Sequence, residues 1–344
     1  MFILLRPLSN STNSYTMMVG DALLRRGHSV SEFHSSNFFM NHADVIVIHW
    51  PNEFFVITSL KSIVKSIYIL IIFTLNKFFR KQRIVWFVHN IVPHDPGYFS
   101  FGFARRYFFR LIDGLVFLSE ASRLITYENY PELDAKPYVV ISHGDYRSLA
   151  HGPIKPLILP AVGPLLLAFT GQVRRYKAPD ALLRAAAALP PGEVEISISG
   201  SCKDLAFAGE LERLAQAIAG VRLDLRYLSN KEIEATIDAA HAIVLPYRSI
   251  LNSGSALLAL SRARPVLAPR LGSLIELQGQ VGTEWVYLYD GDFNENVLSA
   301  FLIWLKYTPR PTVPDLSAHD WDTIGAQLSN FFKTLAHGES VTDS

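Results

Sequence analysis

Hydrophobic positions fall in short continuous runs, separated by longer stretches with helical spacing. In the first half of the chain the runs are FILLRP, DVIVIHW, RIVWFVHN, GLVFLS and YVVISHG. Each ends in polar or small residues and lacks a strict two-residue alternation, which is typical of strands buried on both faces of a parallel sheet. Because helical stretches lie between the runs, we predict βαβ units and a doubly wound α/β domain.

The second half repeats this alternation. Its apolar runs are LLLAFTG, EVEISISG, VRLDLRY, AIVLPY, RPVLAP and WVYLYDG. The text between the halves, HGPIKPLILPAVGP, has four prolines and no helical period, which indicates a linker. The final segment WDTIGAQLSNFFKTLA has amphipathic helical spacing and is predicted to pack back on the first domain. The predicted fold is α/β, with two doubly wound Rossmann-like domains facing across a cleft. The predicted divisions are a first domain at 1–150, a linker at 151–163, a second domain at 164–315 and a C-terminal helix at 316–336.

Composition narrows the classes of function. A chain of 344 residues fits two domains, and 49% hydrophobic residues with a mean hydropathy of +0.20 predict that some apolar surface stays exposed. The formal net charge of +1 gives no argument for nucleic-acid binding. Cys202 is the single cysteine, which excludes an internal disulfide and a Cys-based zinc site. The start MFILLRPLSN lacks the pattern of a signal peptide, so we expect none.

Positive charge concentrates in one stretch of the first domain. Residues 54–112 contain nine Lys or Arg and one acid, interleaved with SIYILIIF, KFFRKQR and FARRYFFR. The apolar run at 62–75 is shorter than the roughly 20 residues that span a bilayer, and Lys61, Lys65 and Lys77 are costly in hydrocarbon. We therefore predict a helix lying in the interface of an anionic membrane. The alternative is a crossover helix buried against the sheet with a basic outer face.

The stretch HAIVLPYRSILNSGSALLALSRARPVLAPRLGSLIE predicts an anion site. A buried strand closes on Pro246, and a helix is expected from Ala256 to Arg262. Four residues of the turn cap that helix with little side-chain bulk: Asn252, Ser253, Gly254 and Ser255. The unpaired backbone N–H groups of the turn can face a nucleotide diphosphate. The alternative is a capped helix start with no ligand.

Further polar residues follow the second-domain strands. Arg174 and Lys177 flank a predicted helix start, where a guanidinium and an ammonium can hold phosphate; the alternative is a solvated basic turn. Candidates for the sugar, the base or the ribose follow two other strands: Tyr247, Arg248, Ser229 and Asn230.

The string Asp290-Gly291-Asp292 raises the alternative of a metal site. Because it lies in the last third of the chain and not after an early strand, we predict a loop, with no metal required.

Seven residues that carry candidate chemistry follow three strands of the first domain: His49, Glu53, His89, His94, Asp95, His143 and Asp145. The carboxyl ends of parallel strands meet at one edge of the sheet, where functional side chains are exposed. A transfer that inverts the reacting carbon needs a base to take the proton of the acceptor hydroxyl. Asp95 is the first candidate for this base and His94 the alternative; the other five are candidates for the acceptor side.

Two motifs of the second half resemble the GT-B glycosyltransferases. They are FTGQVRRYKAPDALL and VLPYRSILNSGSALLALSRARPVLAP, and the resemblance spans most of residues 164–290. A narrower resemblance, to the xanthan-type GDP-mannose:glycolipid β-1,4-mannosyltransferases (glycosyltransferase family 94), adds HWPNEFF, WFVHNIVPHD, ISHGDYR, VYLYDGDF and PDLSAHDW and covers nearly the whole chain. Many related GT-B enzymes hold the ribose with a glutamate where this chain has Ala259. We therefore expect ribose contact from elsewhere, with Glu276 as a candidate, and find a retaining mechanism less supported.

The resemblance implies a function. It implies transfer of mannose from the nucleotide sugar GDP-mannose to an undecaprenyl-diphosphate-linked oligosaccharide in exopolysaccharide assembly. We expect an inverting, metal-independent enzyme, peripheral or monotopic on the cytoplasmic face of the inner membrane. One alternative is a hexosyltransferase of the same fold that uses a UDP-sugar. Another is a non-catalytic nucleotide-binding partner of an assembly complex.

Overall fold

A computed structural model describes residues 1–9, 14–34, 42–55, 59–89 and 102–338. The chain divides into two compact units. The first comprises Met1–Gly144 together with the chain from His319, and the second is Asp145–Ala318. Each unit contains a six-stranded, fully parallel sheet. The prediction of two doubly wound α/β domains is confirmed.

The first unit has strand order β2-β1-β3-β4-β5-β6. Its strands are β1 Phe2–Arg6, β2 Ser29–Glu32, β3 Val45–Ile48, β4 Arg83–Val88, β5 Gly114–Phe117 and β6 Tyr138–Val140. Its helices are α1 Tyr15–Arg25, α2 Leu60–Arg80, α3 Gly102–Leu111, α4 Glu120–Asn129 and, from the end of the chain, α11 Trp321–His337. β3 and β5 are buried along their whole length, as their uninterrupted apolar text predicts.

One strand, β2, is not predicted by the hydrophobic pattern. Its text, SVSE, lies at the edge of the sheet and is half-exposed, so it carries no apolar run. Glu32 of this strand accepts hydrogen bonds from the Arg6 side chain and from the backbone N–H of Leu8. Polar contacts of this kind hold an edge strand that the hydrophobic pattern does not reveal.

The second unit has strand order β12-β11-β10-β7-β8-β9. Its strands are β7 Leu165–Thr170, β8 Val194–Ser199, β9 Val221–Asp224, β10 Ala242–Val244, β11 Val266–Pro269 and β12 Val286–Tyr289. Its helices are α5 Pro179–Ala187, α6 Leu205–Gln216, α7 Asn230–Ala239, α8 Gly254–Ser261, α9 Ser273–Val281 and α10 Glu295–Tyr307. A single apolar core of strand and helix side chains joins the two faces of the sheet.

Strand order reverses once in each sheet. In the second unit β8 and β9 extend the sheet on one side of β7, and β10 begins the other side. In the first unit the reversal lies between β1 and β3. Ligands of open parallel sheets bind beyond the carboxyl ends of the strands at this reversal. The loops after β7 and β10, and those after β1 and β3, are therefore where binding residues are expected.

Two buried arginines fasten the start of the proline-rich segment onto the second unit. Arg262 donates to the carbonyls of Gly152 and Pro153, and Arg264 donates to that of Lys155. Both arginines are 2% exposed. Because a buried guanidinium must have its donors satisfied, these bonds fix the path of the segment.

The last helix completes the first unit. α11 packs on α1, where Gly325 lies so close to Ala22 that a Cβ there would come 2.9 Å from the Ala22 carbonyl oxygen. Phe331 and Leu335 cover Gly114 at the start of β5. The chain thus returns to the first sheet after building the second.

Candidate functional site

The predicted anion turn lies at the start of α8. Ser253 has extended backbone and caps the helix by accepting a hydrogen bond from the backbone N–H of Ala256. The helix begins at Gly254, two residues before the predicted start, because the cap is Ser253 itself. Gly254 and Ser255 are therefore first-turn residues, whose N–H groups have no partner within the helix. Asn252 lies immediately before the cap.

The loop after β7 approaches this turn closely. Gly171 has a φ of +115°, and a Cβ built on it would lie 3.4 Å from Ser255 Oγ and 3.9 Å from Lys177 Nζ. Gly200, after β8, has a φ of +137°, and a Cβ there would lie 1.7 Å from the Gly171 carbonyl oxygen. Only glycine fits this backbone approach. The two glycines thus bring Lys177 and the first turn of α8 to one place.

Lys177 is the central cation of this site. Its ammonium lies 5.5 Å from the centre of the Tyr247 ring, and burial lowers its pKa, with nearby Arg174 contributing in the same direction. Within the described ranges no carboxylate pairs with Lys177. A desolvated cation without a counter-charge, beside a helix N-terminus, is suited to an anionic ligand.

Tyr247 contacts both Lys177 and the turn at the start of α8. It is 3% exposed, and its hydroxyl is hydrogen-bonded to the side chains of Ser253 and Ser255. Burial raises the pKa of Tyr247 to about 12, so the phenol stays protonated at neutral pH. Tyr247 therefore holds the two serine side chains in place and adds no negative charge to the site.

The two arginines next to each other in FTGQVRRYK have different surroundings. Arg175 pairs with Asp204 at 2.8 Å and Glu210 at 3.2 Å and lies over the Phe207 ring. Arg174 makes a long contact of 3.5 Å with the side-chain oxygen of Gln172. Of the predicted pair, Lys177 lies at the turn and Arg174 is near enough to Lys177 to lower its pKa, while Arg175 serves the packing of α6.

The other residues predicted to contact the sugar or the nucleoside of the donor lie at three different places in the second unit. Arg248 pairs with the buried Asp180 at 3.3 Å. Ser229 caps α7, in a reciprocal capping box with Glu232, so its hydroxyl already has a structural partner. Glu276 lies in the first turn of α9.

α9 starts beside the anion turn. The N–H of Ser273 donates to the Leu251 carbonyl, and a Cβ at Gly272 would lie 2.5 Å from the carbonyl oxygen of Ile250. The start of the Glu276 helix is thereby attached to the loop that leads into Asn252.

The structure brings together three histidines predicted for the first unit. His49 follows β3 and His89 follows β4, and His49 Nδ1 lies 2.8 Å from His89 Nε2. The ring of Tyr15 lies 5.4 Å from that of His89 and 4.3 Å from that of His143. His49, 1% exposed, is the buried member of this histidine cluster, while His89 and His143 are half-buried.

Burial keeps the histidine cluster neutral. It lowers the pKa of His49 to about 3 and that of His143 to about 4, and it lowers the pKa of His89 well below its usual value, with His49 and His143 adding to the effect. Among the described residues, Nε2 of His49 has no hydrogen-bond partner. Neutral imidazoles both donate and accept hydrogen bonds, which suits the binding of hydroxyl groups.

Three residues of this cluster were not among the predicted candidates: Tyr15, His319 and Trp321. The Nδ1–H group of His319 donates a hydrogen bond to the His143 carbonyl oxygen at 2.8 Å. Trp321 lies against Gly144 and 5.5 Å from the Tyr15 ring. The segment PDLSAHDW carries part of the family resemblance, but nothing in its spacing shows that it contacts the end of β6.

Other first-domain candidates are not part of this cluster as described. Asp95 and His94, the two candidates for the base, lie outside the described residues, as does the side chain of Glu53, whose backbone is in a short 3₁₀ helix. Asp145 belongs to the second unit, where its carboxylate accepts hydrogen bonds from Arg147.

The string Asp290-Gly291-Asp292 lies in the loop between β12 and α10, as predicted. Asp290 pairs with Arg270 at 3.3 Å on the surface.

Comparison with known proteins identifies relatives. No family model matches the chain. It is 29% identical to the GDP-mannose:glycolipid 4-β-D-mannosyltransferase of Xanthomonas campestris pv. campestris over 320 residues, which cover 93% of this chain and 87% of that protein. Among solved structures it is similar to sucrose-phosphate synthase from Thermosynechococcus elongatus, with a TM-score of 0.69, 15% identity and coverage of 98% and 99% of the two chains.

A second solved structure gives the same result. Anabaena HepE in complex with UDP-glucose matches with a TM-score of 0.62 and 14% identity, over 98% of each chain. These structural likenesses establish the GT-B fold, and the curated relative places the chain among glycosyltransferases.

Replacing Lys177 tests the anion site. In Lys177→Met we expect the dissociation constant for a nucleoside diphosphate to rise by at least about tenfold, because one charge-assisted contact is lost. Isothermal titration calorimetry measures it. Arg175→Met is the matched control, since Arg175 is paired with carboxylates, and we expect a change within about twofold. Equal weakening in both variants would contradict the assignment.

The histidine cluster predicts a dependence of stability on pH. The folded pKa of His49 is depressed to about 3, so its contribution to stability is present above the unfolded value near 6.5 and is lost as pH falls toward 3. In His49→Gln we expect the unfolding free energy to fall less steeply as the pH decreases over this range. The slope is expected to be smaller than that of the unsubstituted protein by up to about 1.4 kcal/mol per pH unit. Urea titrations from pH 7 to pH 4 measure this slope. The exposed His337→Gln is the control, and an unchanged slope in His49→Gln would refute the prediction.

Proposed function

We propose that this chain, a glycosyltransferase of the GT-B fold, transfers mannose with inversion from GDP-mannose to a lipid-linked oligosaccharide. The observation that carries the proposal is the convergence of Gly171, Lys177 and the capped start of α8 on one anion-binding place in the second unit. The relationship to a GDP-mannose:glycolipid mannosyltransferase over 93% of the chain supports this donor. We extend the proposal to an undecaprenyl-diphosphate carrier and to exopolysaccharide repeat-unit assembly.

The leaving group determines what the second unit must do. As the bond between the anomeric carbon and the phosphate oxygen breaks, negative charge grows on the nucleoside diphosphate. The Lys177 ammonium, the Arg174 guanidinium and the first-turn amides of α8 are fixed donors for that charge. Because these groups can stabilise the leaving group directly, we propose that transfer requires no metal ion.

Nucleoside contacts are the second part of the donor proposal. Ala259, fully buried in α8, offers no carboxylate to a ribose. Glu276 lies in the first turn of the neighbouring helix, which is attached to the same loop, so we propose it for the ribose hydroxyls.

The first unit supplies the acceptor side in this proposal. In a single displacement the acceptor hydroxyl oxygen forms the new bond to the anomeric carbon while the phosphate oxygen leaves from the opposite face. The hydroxyl proton passes to a base. We propose Asp95 as this base, with His94 as its alternative, and the neutral histidine cluster as a binding surface for acceptor hydroxyls.

A donor panel tests the function. Purified protein is incubated with GDP-mannose, UDP-glucose and other nucleotide sugars plus a prenyl-diphosphate-linked oligosaccharide, with and without EDTA. We expect GDP release with GDP-mannose, unaffected by EDTA, and a β-linked product by NMR. Asp95→Asn is expected to lower kcat by at least about 100-fold, as removal of a general base does.

Other outcomes would redirect the proposal. Turnover only with a UDP-sugar would retain the fold and replace the donor. Nucleotide binding that is insensitive to Asp95→Asn, with no turnover for any donor, would favour a non-catalytic partner of an assembly complex.

Helix α2 presents an apolar stripe to solvent. The exposed large side chains recur at helical spacing along it and end in a phenylalanine pair: Leu60, Val64, Ile67, Tyr68, Ile71, Phe78 and Phe79. The exposed Lys61, Lys65 and Lys81 flank the stripe, and Phe103 of α3 extends it. An apolar face bordered by cations is typical of helices that lie in an anionic membrane interface.

The opposite face of α2 is packed against the first unit. Ser66 donates to the Phe54 carbonyl, Phe73 is fully buried, and the Lys77 ammonium pairs with Asp113 at 2.8 Å. Among described helices α2, with 21 residues and a mean hydropathy of 1.5 over its most apolar window, is the one that could span a bilayer by length and composition. Because one face is held by the protein, we propose that α2 lies in the interface, at the cytoplasmic face of the membrane.

Substitution of the stripe tests this membrane contact. The double change Val64→Glu and Ile71→Glu adds negative charge and removes apolar area, and we expect binding to vesicles with anionic lipid to fall by at least about tenfold. Co-flotation with phosphatidylglycerol vesicles measures it. Leu205→Glu, an exposed leucine of α6 in the second unit, is the control. Unchanged flotation of the double variant would contradict the proposal, and resistance of membrane-bound protein to alkaline extraction would favour a spanning helix.

A further inference from the structure

A groove of about 350 Å³ lies between α2 and α3 on the surface of the first unit. Among the described residues it is lined by five side chains of α2, from Ile67 to Leu75, and by Phe103 and Tyr107 of α3. All of them except Thr74 and Tyr107 are pure hydrocarbon. Small-molecule sites occupy roughly 300–1,000 Å³, so the groove has room for part of one lipid chain.

The two hydroxyl groups of the groove are bonded to each other. The Thr74 hydroxyl donates to the Leu70 carbonyl at 2.7 Å, so Tyr107 is the donor in the 2.9 Å hydrogen bond between the Tyr107 and Thr74 hydroxyls. A polar ligand would have to break this pair. A hydrocarbon chain can fill the groove without displacing any of these hydrogen bonds, so the lining favours an aliphatic ligand.

One end of the groove points toward the carboxyl edge of the first sheet. Helix α2 follows β3 and ends just before β4, and α3 ends just before β5, so both helices begin at that edge. The helices run in the same direction, since Thr74 contacts Tyr107 and, further along, Lys77 donates to the Leu111 carbonyl. Phe103 lies in the first turn of α3. It therefore brings the groove toward the edge that carries the histidine cluster.

Positive charge lies at the same end of the two helices. Lys61 and Lys65 of α2 and Arg106 of α3 are exposed, and neither helix contains an acidic residue. This distribution suits a ligand whose anionic group lies toward the sheet edge while its hydrocarbon chain lies in the groove. A bilayer lipid has two acyl chains, whereas a prenyl carrier has one chain attached to its diphosphate. A groove with room for one chain matches the prenyl carrier.

We propose that this groove holds part of the prenyl chain of the lipid-linked acceptor, with the acceptor diphosphate toward the first turns of α2 and α3. The proposal rests on the proposed function, because it takes a lipid-linked oligosaccharide as the acceptor. It goes beyond the membrane contact of α2, since the exposed stripe suits any anionic bilayer and the groove receives one chain of the substrate.

Photolabelling tests the groove without requiring turnover. The full chain in detergent is irradiated with a prenyl diphosphate that carries a diazirine on its chain, and labelled peptides are mapped by mass spectrometry. We expect label within α2 and α3. Undecaprenyl diphosphate is expected to suppress it by at least about fivefold, and phosphatidylglycerol at the same concentration by less than about twofold.

Two labelling results would overturn the proposal. Equal suppression by phosphatidylglycerol would make the groove a site for bilayer lipid. Label confined to peptides outside α2 and α3 would place the prenyl chain elsewhere.

A variant that narrows the groove tests its use in the reaction. Ile71→Trp adds bulk to the lining and keeps this exposed position apolar. Two acceptors are compared, one oligosaccharide diphosphate with an undecaprenyl chain and the same compound with a methyl group in place of that chain. We expect kcat/KM for the undecaprenyl acceptor to fall by at least about tenfold, and that for the methyl acceptor to change by less than about twofold, because only the first loses apolar contact.

Two further variants and a binding measurement keep this test decisive. Leu124→Trp is the matched control, since it adds the same ring at an exposed position of α4 in the same unit. Flotation of Ile71→Trp with phosphatidylglycerol vesicles is expected to stay within about twofold of the unsubstituted chain, because the stripe remains apolar. If circular dichroism shows that Ile71→Trp is unfolded, the smaller change Leu75→Phe carries the test. An equal loss for both acceptors in a folded groove variant would contradict a role in binding the chain.

Failure of this proposal is distinguishable from failure of the proposed function. If no donor gives turnover while undecaprenyl diphosphate still suppresses label in the groove, the prenyl site stands and glycosyl transfer fails. If the chain transfers mannose while Ile71→Trp and Leu75→Phe leave the ratio of the two acceptors unchanged, the proposed function stands and the groove proposal is wrong.

Discussion

The proposed anion site of the second unit depends on one arrangement. In it, the half-buried ammonium of Lys177 lies beside the N-terminus of helix α8. Burial lowers the pKa of Lys177, and no described carboxylate offsets its charge. This site forms because Gly171 and Gly200 lack side chains. The loops that carry them approach so closely that a Cβ on Gly200 would overlap the Gly171 carbonyl oxygen. An anion at this position satisfies the lysine and the unpaired amides of α8 together. Backbone geometry and electrostatics therefore favour the same ligand, a diphosphate.

The first unit uses the same sheet topology for different chemistry. Its three strand-end histidines are kept neutral by burial, so they present hydrogen-bonding groups and no charge. In the proposed function the cations of the second unit stabilise the leaving anion, and the neutral imidazoles of the first unit hold a hydroxyl group of the acceptor. The return of the chain through His319 and Trp321 completes the wall around these histidines, so the first unit depends on residues that follow the second.

The amphipathic pattern of helix α2 is compatible with two locations, packed against the sheet or lying in a membrane interface. Its apolar residues surround most of the helix, and the sequence left open whether they face the sheet or a membrane. In the structure both occur: one set, including Phe73, packs into the unit, and another, including Ile67 and Ile71, faces solvent. An exposed apolar stripe of this length is typical of an interaction surface, and the flanking lysines have the charge that the proposed contact with an anionic membrane requires.

The sequence by itself determined the two parallel sheets, the capped turn before α8 and the placing of His49 and His89 at strand ends. These features are local, since buried strands, caps and strand ends each leave a pattern within a few residues. It did not reveal β2, whose edge position needs no apolar run. Only the tertiary structure decided that His49 bonds His89 and that Tyr15 and His319 join them. Those contacts join elements far apart in the chain, and the strand order and backbone approach that create them are not encoded in any short window of residues.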